Sequence, residues 1–136
     1  MAQPVRFQSL TNPLVELASA DTRKNAADLL CPRDACRSVI FRKNTATLVK
    51  RDGNKITLPK SVLPEGADLL DTDENITDFW CLTSMMDFDN IGFSKPVGSI
   101  KFLSCADCDI GPIGYHDTAS KPEEFLISIR RVRYRF

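Results

Sequence analysis

Four of the five cysteines in this chain fall into two short-spaced pairs, Cys31-Pro32-Arg33-Asp34-Ala35-Cys36 and Cys105-Ala106-Asp107-Cys108. Within each pair a single turn can offer two thiolates to one metal ion, and two such turns complete the four-sulfur tetrahedron that zinc favours. About 68 residues separate the pairs. A shared ion held by Cys31, Cys36, Cys105 and Cys108 would therefore tie the first quarter of the sequence to the last third, and its binding energy would organise the whole fold.

Two disulfides, or four unrelated buried thiols, are the alternatives. The opening Met1-Ala2-Gln3-Pro4-Val5-Arg6-Phe7 lacks the basic, apolar and small-residue layout of a signal peptide. No apolar run reaches the roughly 18 residues needed to cross a bilayer. A reducing, intracellular setting is the expectation, and there one structural zinc is favoured over disulfides. Four thiolates and a divalent cation carry a local charge of about −2, and Arg33 and Arg37, beside the first pair, are placed to offset it.

With 136 residues the chain has the size of one ordinary domain, large enough for a modest core and small enough to gain noticeably from a metal staple. Lysine plus arginine and aspartate plus glutamate balance at 18 each. That neutrality argues against a general nucleic-acid binder, which carries a basic excess.

The elements that must position the cysteines are mostly strands. Residues 1–20 are read as a flexible N-terminal segment, and Asp21 to Leu30 as a short helix running into Cys31. After Cys36, Ser38-Val39-Ile40-Phe41 is strand-like. Ala46 to Lys50 and Lys55 to Pro59 flank Arg51-Asp52-Gly53-Asn54, where Asp-Gly between alternating apolar runs predicts a hairpin. From Lys60 to Asp78 the composition turns acidic and Pro/Gly-containing, which predicts a long mobile loop. Phe79 to Met86 opens the densest apolar half. Val97 to Ser104 reads as a strand delivering Cys105, and Gly111 and Gly114 permit a tight backbone after Cys108. Glu124 to Phe136 is the clearest strand pattern. Phe125, Ile127 and Ile129 share one phase and Val132, Tyr134 and Phe136 the other, so a bulge, or burial on different faces, is expected near Arg130 and Arg131. Arg131, Arg133 and Arg135 fit a solvated edge strand protected by charge. Short strands, turn residues and little helical periodicity place residues 21–136 in a single mainly β domain.

The string Phe88-Asp89-Asn90-Ile91-Gly92-Phe93, followed by Cys105-Ala106-Asp107-Cys108-Asp109-Ile110-Gly111-Pro112-Ile113-Gly114-Tyr115-His116, is far more specific than two cysteine pairs. It resembles the signature of the zinc-binding Rab exchange factors and chaperones, the family of the mammalian Rab-interacting factor and the fungal suppressors of secretion defects. The match runs from about Trp80 to His116. The resemblance implies a β-tent fold of short coiled sheets clamped by one four-cysteine zinc site, and binding to Rab-type GTPases of the secretory pathway in their nucleotide-free form. The family promotes guanine-nucleotide release slowly, by binding rather than by covalent catalysis. The chain departs from familiar members in having four residues rather than two between Cys31 and Cys36.

By the same resemblance, Met85, Met86, Asp87, Phe88, Asp89, Asn90 and Ile91 match the part of the family that contacts the GTPase, and Asp107 resembles its acidic interface residue. Apolar groups set among carboxylates suit the displacement of a switch segment from bound phosphate. Asp107 has a second reading, as an acceptor for backbone N–H groups of its own turn. Core packing is the second reading for the methionines and Phe88, and Phe88 is the one it fits best. His116 can ligate zinc in principle, but with four cysteines available it reads as a hydrogen-bonding histidine. Cys81 reads as a packing residue.

Two other functions compete. In a methionine sulfoxide reductase of the B type, which resembles the zinc-bearing β-tent fold, Cys81 would have to be the nucleophile, yet no resolving cysteine is left over. A zinc-ribbon nucleic-acid binder would use the terminal arginines, against the neutral charge balance. The expected protein is a cytoplasmic monomer that meets secretory membranes only through a prenylated GTPase, since Arg133-Tyr134-Arg135-Phe136 carries no lipidation box.

Overall fold

The computed structural model describes residues 4–33, 35–51, 78–93, 96, 98–107, 112–119 and 123–136. The predicted turn at Asp52-Gly53 with its returning strand, the acidic stretch after Lys60, and Cys108 lie outside the described residues. Ten strands and one short helix are described: β1 (Val5–Arg6), α1 (Pro13–Leu17), β2 (Asp28–Leu30), β3 (Val39–Phe41), β4 (Thr47–Lys50), β5 (Asp78–Leu82), β6 (Gly92–Phe93), β7 (Ile100–Ser104), β8 (Gly114–Asp117), β9 (Phe125–Ser128) and β10 (Arg133–Arg135). They form two antiparallel sheets, ordered β1-β10-β2-β3 and β4-β5-β9-β8-β7-β6.

The central strands of the larger sheet are apolar on both faces, which explains their dense apolar sequence. Trp80 and Leu82 of β5, Phe125 and Ile127 of β9 and Leu103 of β7 join the main core with Leu29, Ile40, Phe41 and Tyr134 of the smaller sheet. The alternate residues Phe79, Leu126, Phe102 and Tyr115 form a second cluster. At β8, Gly114 pairs with Ile127, and a Cβ there would collide with the Leu126 carbonyl oxygen, so the close approach of the two strands requires glycine.

Three expectations are corrected. Residues 21–30 do not form a helix. They make a turn and then β2, because Leu29 and Leu30 pair with β3 and β10 and are buried in the core. The C-terminal run is not one strand with a bulge. Its phase change at 129–132 is a crossing from the larger sheet to the smaller one, with Ile129 and Val132 both in the main core. Nor is the arginine-bearing end a solvated edge. β10 lies between β1 and β2, and Arg131 and Arg133 are buried. The segment before residue 20 carries β1 and α1, elements the sequence reading did not assign, and Leu17 is buried in the core.

Two polar groups lock this arrangement. The Tyr134 hydroxyl donates to the Ile129 carbonyl and accepts a 3.0 Å hydrogen bond from Trp80 Nε1, joining the two sheets inside the core. Asn25, fully buried, donates to the carbonyls of Ala27 (2.8 Å) and Arg42 (2.9 Å) and accepts from the N–H groups of Thr45 (3.0 Å) and Ala46 (2.9 Å). All four of its bonding positions are thereby satisfied, and the β3–β4 turn is held against the chain before β2. Tyr134→Phe orphans the buried indole N–H and is expected to cost about 1–3 kcal/mol. A lower urea midpoint at unchanged m-value checks it.

Candidate metal centre and the loop beside it

β2 ends directly at Cys31 and β7 directly at Cys105, so the two sheets deliver one cysteine each to a common point. The Sγ atoms of Cys31, Cys36 and Cys105 all lie within 4.8 Å of one another, with Cys36 and Cys105 3.8 Å apart. Sulfurs bound at about 2.3 Å to one tetrahedral zinc stand about 3.8 Å apart along each edge. The three-sulfur donor set therefore fits a thiolate-bound metal, and Cys108, the fourth ligand expected from the sequence, lies outside the described residues. Burial alone would raise the Cys36 thiol. Hydrogen bonds from the Ser38 hydroxyl and backbone N–H, and from the thiols of Cys31 and Cys105, outweigh it and bring the group down to about 7. A thiol this acidic suits a metal ligand.

The first knuckle is shaped by arginines far away in sequence. Arg133 donates from Nε to the Cys31 carbonyl (2.8 Å) and from Nη2 to the carbonyls of Arg33 (2.8 Å) and Cys36. Arg6, paired with Arg133 across β1 and β10, donates to the Pro32 carbonyl at 2.9 Å. Inside the knuckle, Cys36 N–H bonds the Arg33 carbonyl at 3.0 Å and Cys31 N–H the Ser38 carbonyl at 3.0 Å. These two bonds draw Cys31 and Cys36 together despite the wider spacing, and their sulfurs lie within 4.8 Å of each other. Sequence reasoning missed both clamping arginines. About 100 residues separate Arg133 from the turn it holds, and an arginine inside a strand looks like surface charge.

Asp107 is exposed, and it does not cap its own turn in the described hydrogen bonds. Its carboxylate accepts from the Ser38 hydroxyl of the first knuckle, linking the two turns across the metal position. The Ser38 hydroxyl has a single proton to share between Asp107 and the Cys36 sulfur.

The predicted contact loop lies against this centre. Met85–Asp87 form a 3-10 turn capped by Ser84, whose Oγ accepts from Met86 N–H at 3.1 Å. The turn projects: Met85 is 55% and Met86 84% exposed, and Asp87 is exposed too. Phe88 and Ile91 are half-buried against the main core, Phe88 edge-on to Phe41 (6.0 Å) and Phe125 (6.1 Å). Asp89 pairs with Arg42 at 2.8 Å, and the N–H groups of Asp89 and Asn90 both reach the Ile40 carbonyl, at 2.8 and 3.3 Å. Asn90 turns inward: Nδ2 donates to Cys105 Sγ at 3.4 Å, and Oδ1 accepts from Ala106 N–H at 3.1 Å. The eight residues therefore divide. Met85, Met86 and Asp87 face solvent, Asp89 and Asp107 are exposed while bonded to Arg42 and Ser38, Phe88 and Ile91 anchor, and Asn90 braces the Cys105 turn.

Comparison with known proteins bears on this combination of folded knuckles and adjoining loop. A family model described as "Mss4 protein" matches residues 24–134, a span holding both cysteine pairs and the whole loop. The chain belongs to the Mss4 family. Among curated relatives it is 34% identical over 109 residues to a "Guanine nucleotide exchange factor MSS4 homolog" of Drosophila melanogaster, covering 80% of this chain and 84% of that protein. A Schizosaccharomyces pombe protein of the same description is 39% identical over 93 residues, covering 68% and 83% respectively. "Protein DSS4" of Saccharomyces cerevisiae is 28% identical over 115 residues, covering 62% of this chain and 76% of that one. The resemblance carried by the residues from Trp80 to His116 is thus confirmed, and with it the mainly β architecture with little helix.

Within this Mss4 domain, Cys81 and His116 lie away from the cysteine turns. Burial, the neighbouring Glu124 carboxylate and a 3.6 Å thiol hydrogen bond to it push Cys81 up to about 11, against the opposing pull of Arg51. That is the reverse of the electropositive setting a nucleophilic cysteine needs. With the metal centre loaded, Cys81 is expected to take up iodoacetamide at pH 8 about 100-fold more slowly than an ordinary thiol. Rates rising with pH toward 11, followed by peptide mass spectrometry, check it. His116, buried, stacks on Phe125 at 4.2 Å and hydrogen-bonds through Nδ1 to the Glu124 carbonyl (2.9 Å).

Proposed function

We propose that this protein is a zinc-bearing guanine-nucleotide exchange factor that binds Rab-type GTPases of the secretory pathway in their nucleotide-free form. The observation that carries the reading is the Met85–Asp87 turn, two exposed thioethers beside a carboxylate on a base fixed by core aromatics and by the cysteine turns. The names of the two MSS4 homologues support it.

A GTPase holds its nucleotide through Mg²⁺, a lysine and backbone N–H groups on the phosphates. Release requires only that those elements be displaced, so the factor needs a surface and no nucleophile. Met85 and Met86 offer flexible apolar groups that can fill the space left by a displaced switch segment. Asp87 offers a carboxylate to basic groups that otherwise face phosphate. When bound, zinc cross-links the two knuckles and fixes the platform, which lowers the ordering cost of binding. Cys31, Cys36, Cys105 and Cys108 would hold it.

Such a factor would work as a cytoplasmic monomer, reaching secretory membranes through its lipid-anchored partner. The test is co-elution with nucleotide-depleted Rabs in size-exclusion chromatography. The wild-type chain is expected to form a stable complex that GTP or GDP dissolves. The double variant Met85→Ala/Met86→Ala, which alters exposed side chains, is expected to keep its thermal midpoint and lose the complex at least 10-fold in affinity.

A further inference from the structure

Asn90 joins three parts of the molecule. Its backbone N–H reaches the Ile40 carbonyl of β3 at 3.3 Å, its Nδ2 donates to Cys105 Sγ at 3.4 Å, and its Oδ1 accepts from Ala106 N–H at 3.1 Å. The side chain therefore supplies one donor to a metal-ligating sulfur and one acceptor to the turn that carries it. A carboxylate of the same shape can keep only the second bond, and an aliphatic side chain neither. Donors to a ligating thiolate stabilise its negative charge and orient it toward the ion.

The segment on the N-terminal side of Asn90 is held more lightly. Apart from the Phe88 ring, the described hydrogen bonds of Met85–Asp87 are those of their own turn: Ser84 Oγ to Met86 N–H, Ser84 carbonyl to Asp87 N–H and Met85 carbonyl to Phe88 N–H. Its outer limit is set at Asp89 and Asn90, where the chain is pinned to β3 and to the Cys105 turn.

We propose that Asn90 is a positioning residue that couples the metal centre to the exposed Met85–Asp87 turn, so that an ordered partner-binding surface exists only when the metal is in place. The partner half of this inference rests on the reading of that turn as the GTPase face. The coupling half does not. It also reassigns Asn90 from a contacting residue to one that acts through Cys105.

The experiment uses the full chain loaded with Co²⁺, whose sulfur-to-metal charge-transfer band reports the ligating thiolates. Asn90→Asp and Asn90→Ala are compared with the wild type by that band, by chelator competition and by hydrogen exchange of residues 84–91. With the N–H donor lost, both variants are expected to show the band at lower energy and metal affinity reduced about 10–100-fold. Backbone amides of 85–89 should exchange faster, with circular dichroism unchanged. Asn90→Asp, which keeps the acceptor, stays measurable should Asn90→Ala fold poorly. Rab affinity should fall in step with loop protection. An unmoved band and unmoved metal affinity alongside lost Rab binding would make Asn90 a contact and overturn the proposal. Weakened metal binding with unaltered loop protection would overturn it equally. Failure of every Rab to bind, with band, affinity and loop protection moving together, would leave the coupling standing and remove the exchange-factor reading alone.

Discussion

Cys105→Ser is expected to abolish the native state. The residue is fully buried, belongs to the main core and brings its sulfur within 3.8 Å of Cys36 and within hydrogen-bond reach of Asn90. Replacing it would leave only two of the three clustered sulfurs to hold a metal ion, and the remaining thiols without a cation to neutralise them. Zinc bound by thiolates contributes about 10–16 kcal/mol in small domains, as large as the roughly 5–15 kcal/mol by which a whole domain is stable. Chelation of the wild-type protein should therefore have the same effect. Far-ultraviolet circular dichroism and the fluorescence of buried Trp80 are expected to report unfolding on chelator treatment, and refolding when zinc is restored. A native spectrum with no metal bound would show that the core suffices without the clamp.

Arg133→Met is the second large effect. The guanidinium donates to three backbone carbonyls of the first cysteine turn from a position 7% exposed, and methionine fills a similar volume while offering no donor. Hydrogen bonds from charged groups contribute about 1.5–3 kcal/mol each, and a buried carbonyl left without a partner costs more than the bond itself was worth. The bonds share one side chain and are not additive, so a net loss of roughly 4 kcal/mol is expected, close to 15 °C in melting temperature for a domain of this size. Arg135→Met is the control two residues on. Arg135 pairs with Asp28 at 3.0 Å, and its side chain is 38% exposed. That pair should be worth less than about 1 kcal/mol. Equal effects from the two substitutions would show that the buried clamp carries no special weight. Zinc affinity should fall in Arg133→Met and hold in Arg135→Met, because only the former shapes the turn that presents Cys31 and Cys36.

The convergence of Cys31, Cys36 and Cys105 was legible because a tetrahedral ion imposes a local spacing on its ligands, and short cysteine spacings stand out in a sequence. The central strands β5, β7 and β9 were legible for a related reason: burial on both faces demands continuous apolar residues, as in Phe79 to Leu82 and Phe125 to Ile127. The exposed Met85–Asp87 turn was found through resemblance, since periodicity favoured placing both methionines in the core. What escaped the sequence depends on partners far along the chain. Leu29 and Leu30 look helical beside Ala26 and Ala27 until β10 and β3 pair with them as strands. Arg133 looks like edge charge until its three carbonyl partners are known. Asn25 lies inside the stretch read as a helix, yet it is a fully bonded core amide because the β3–β4 turn folds back over it. The phase change near Arg130 was visible, but a bulge and a crossing between sheets leave the same mark on an alternating pattern.

The central claim is that the Met85–Asp87 turn, held by a metal-clamped base, opens the nucleotide site of a small GTPase. Release of a fluorescent GDP from a panel of secretory Rabs, followed at excess unlabelled nucleotide with and without the zinc-loaded protein, tests it most directly. At least one Rab is expected to lose its nucleotide faster in proportion to added protein, with Met86→Asp abolishing the acceleration at unchanged fold and zinc content. Release from every Rab at the intrinsic rate, or acceleration untouched by Met86→Asp, would contradict it.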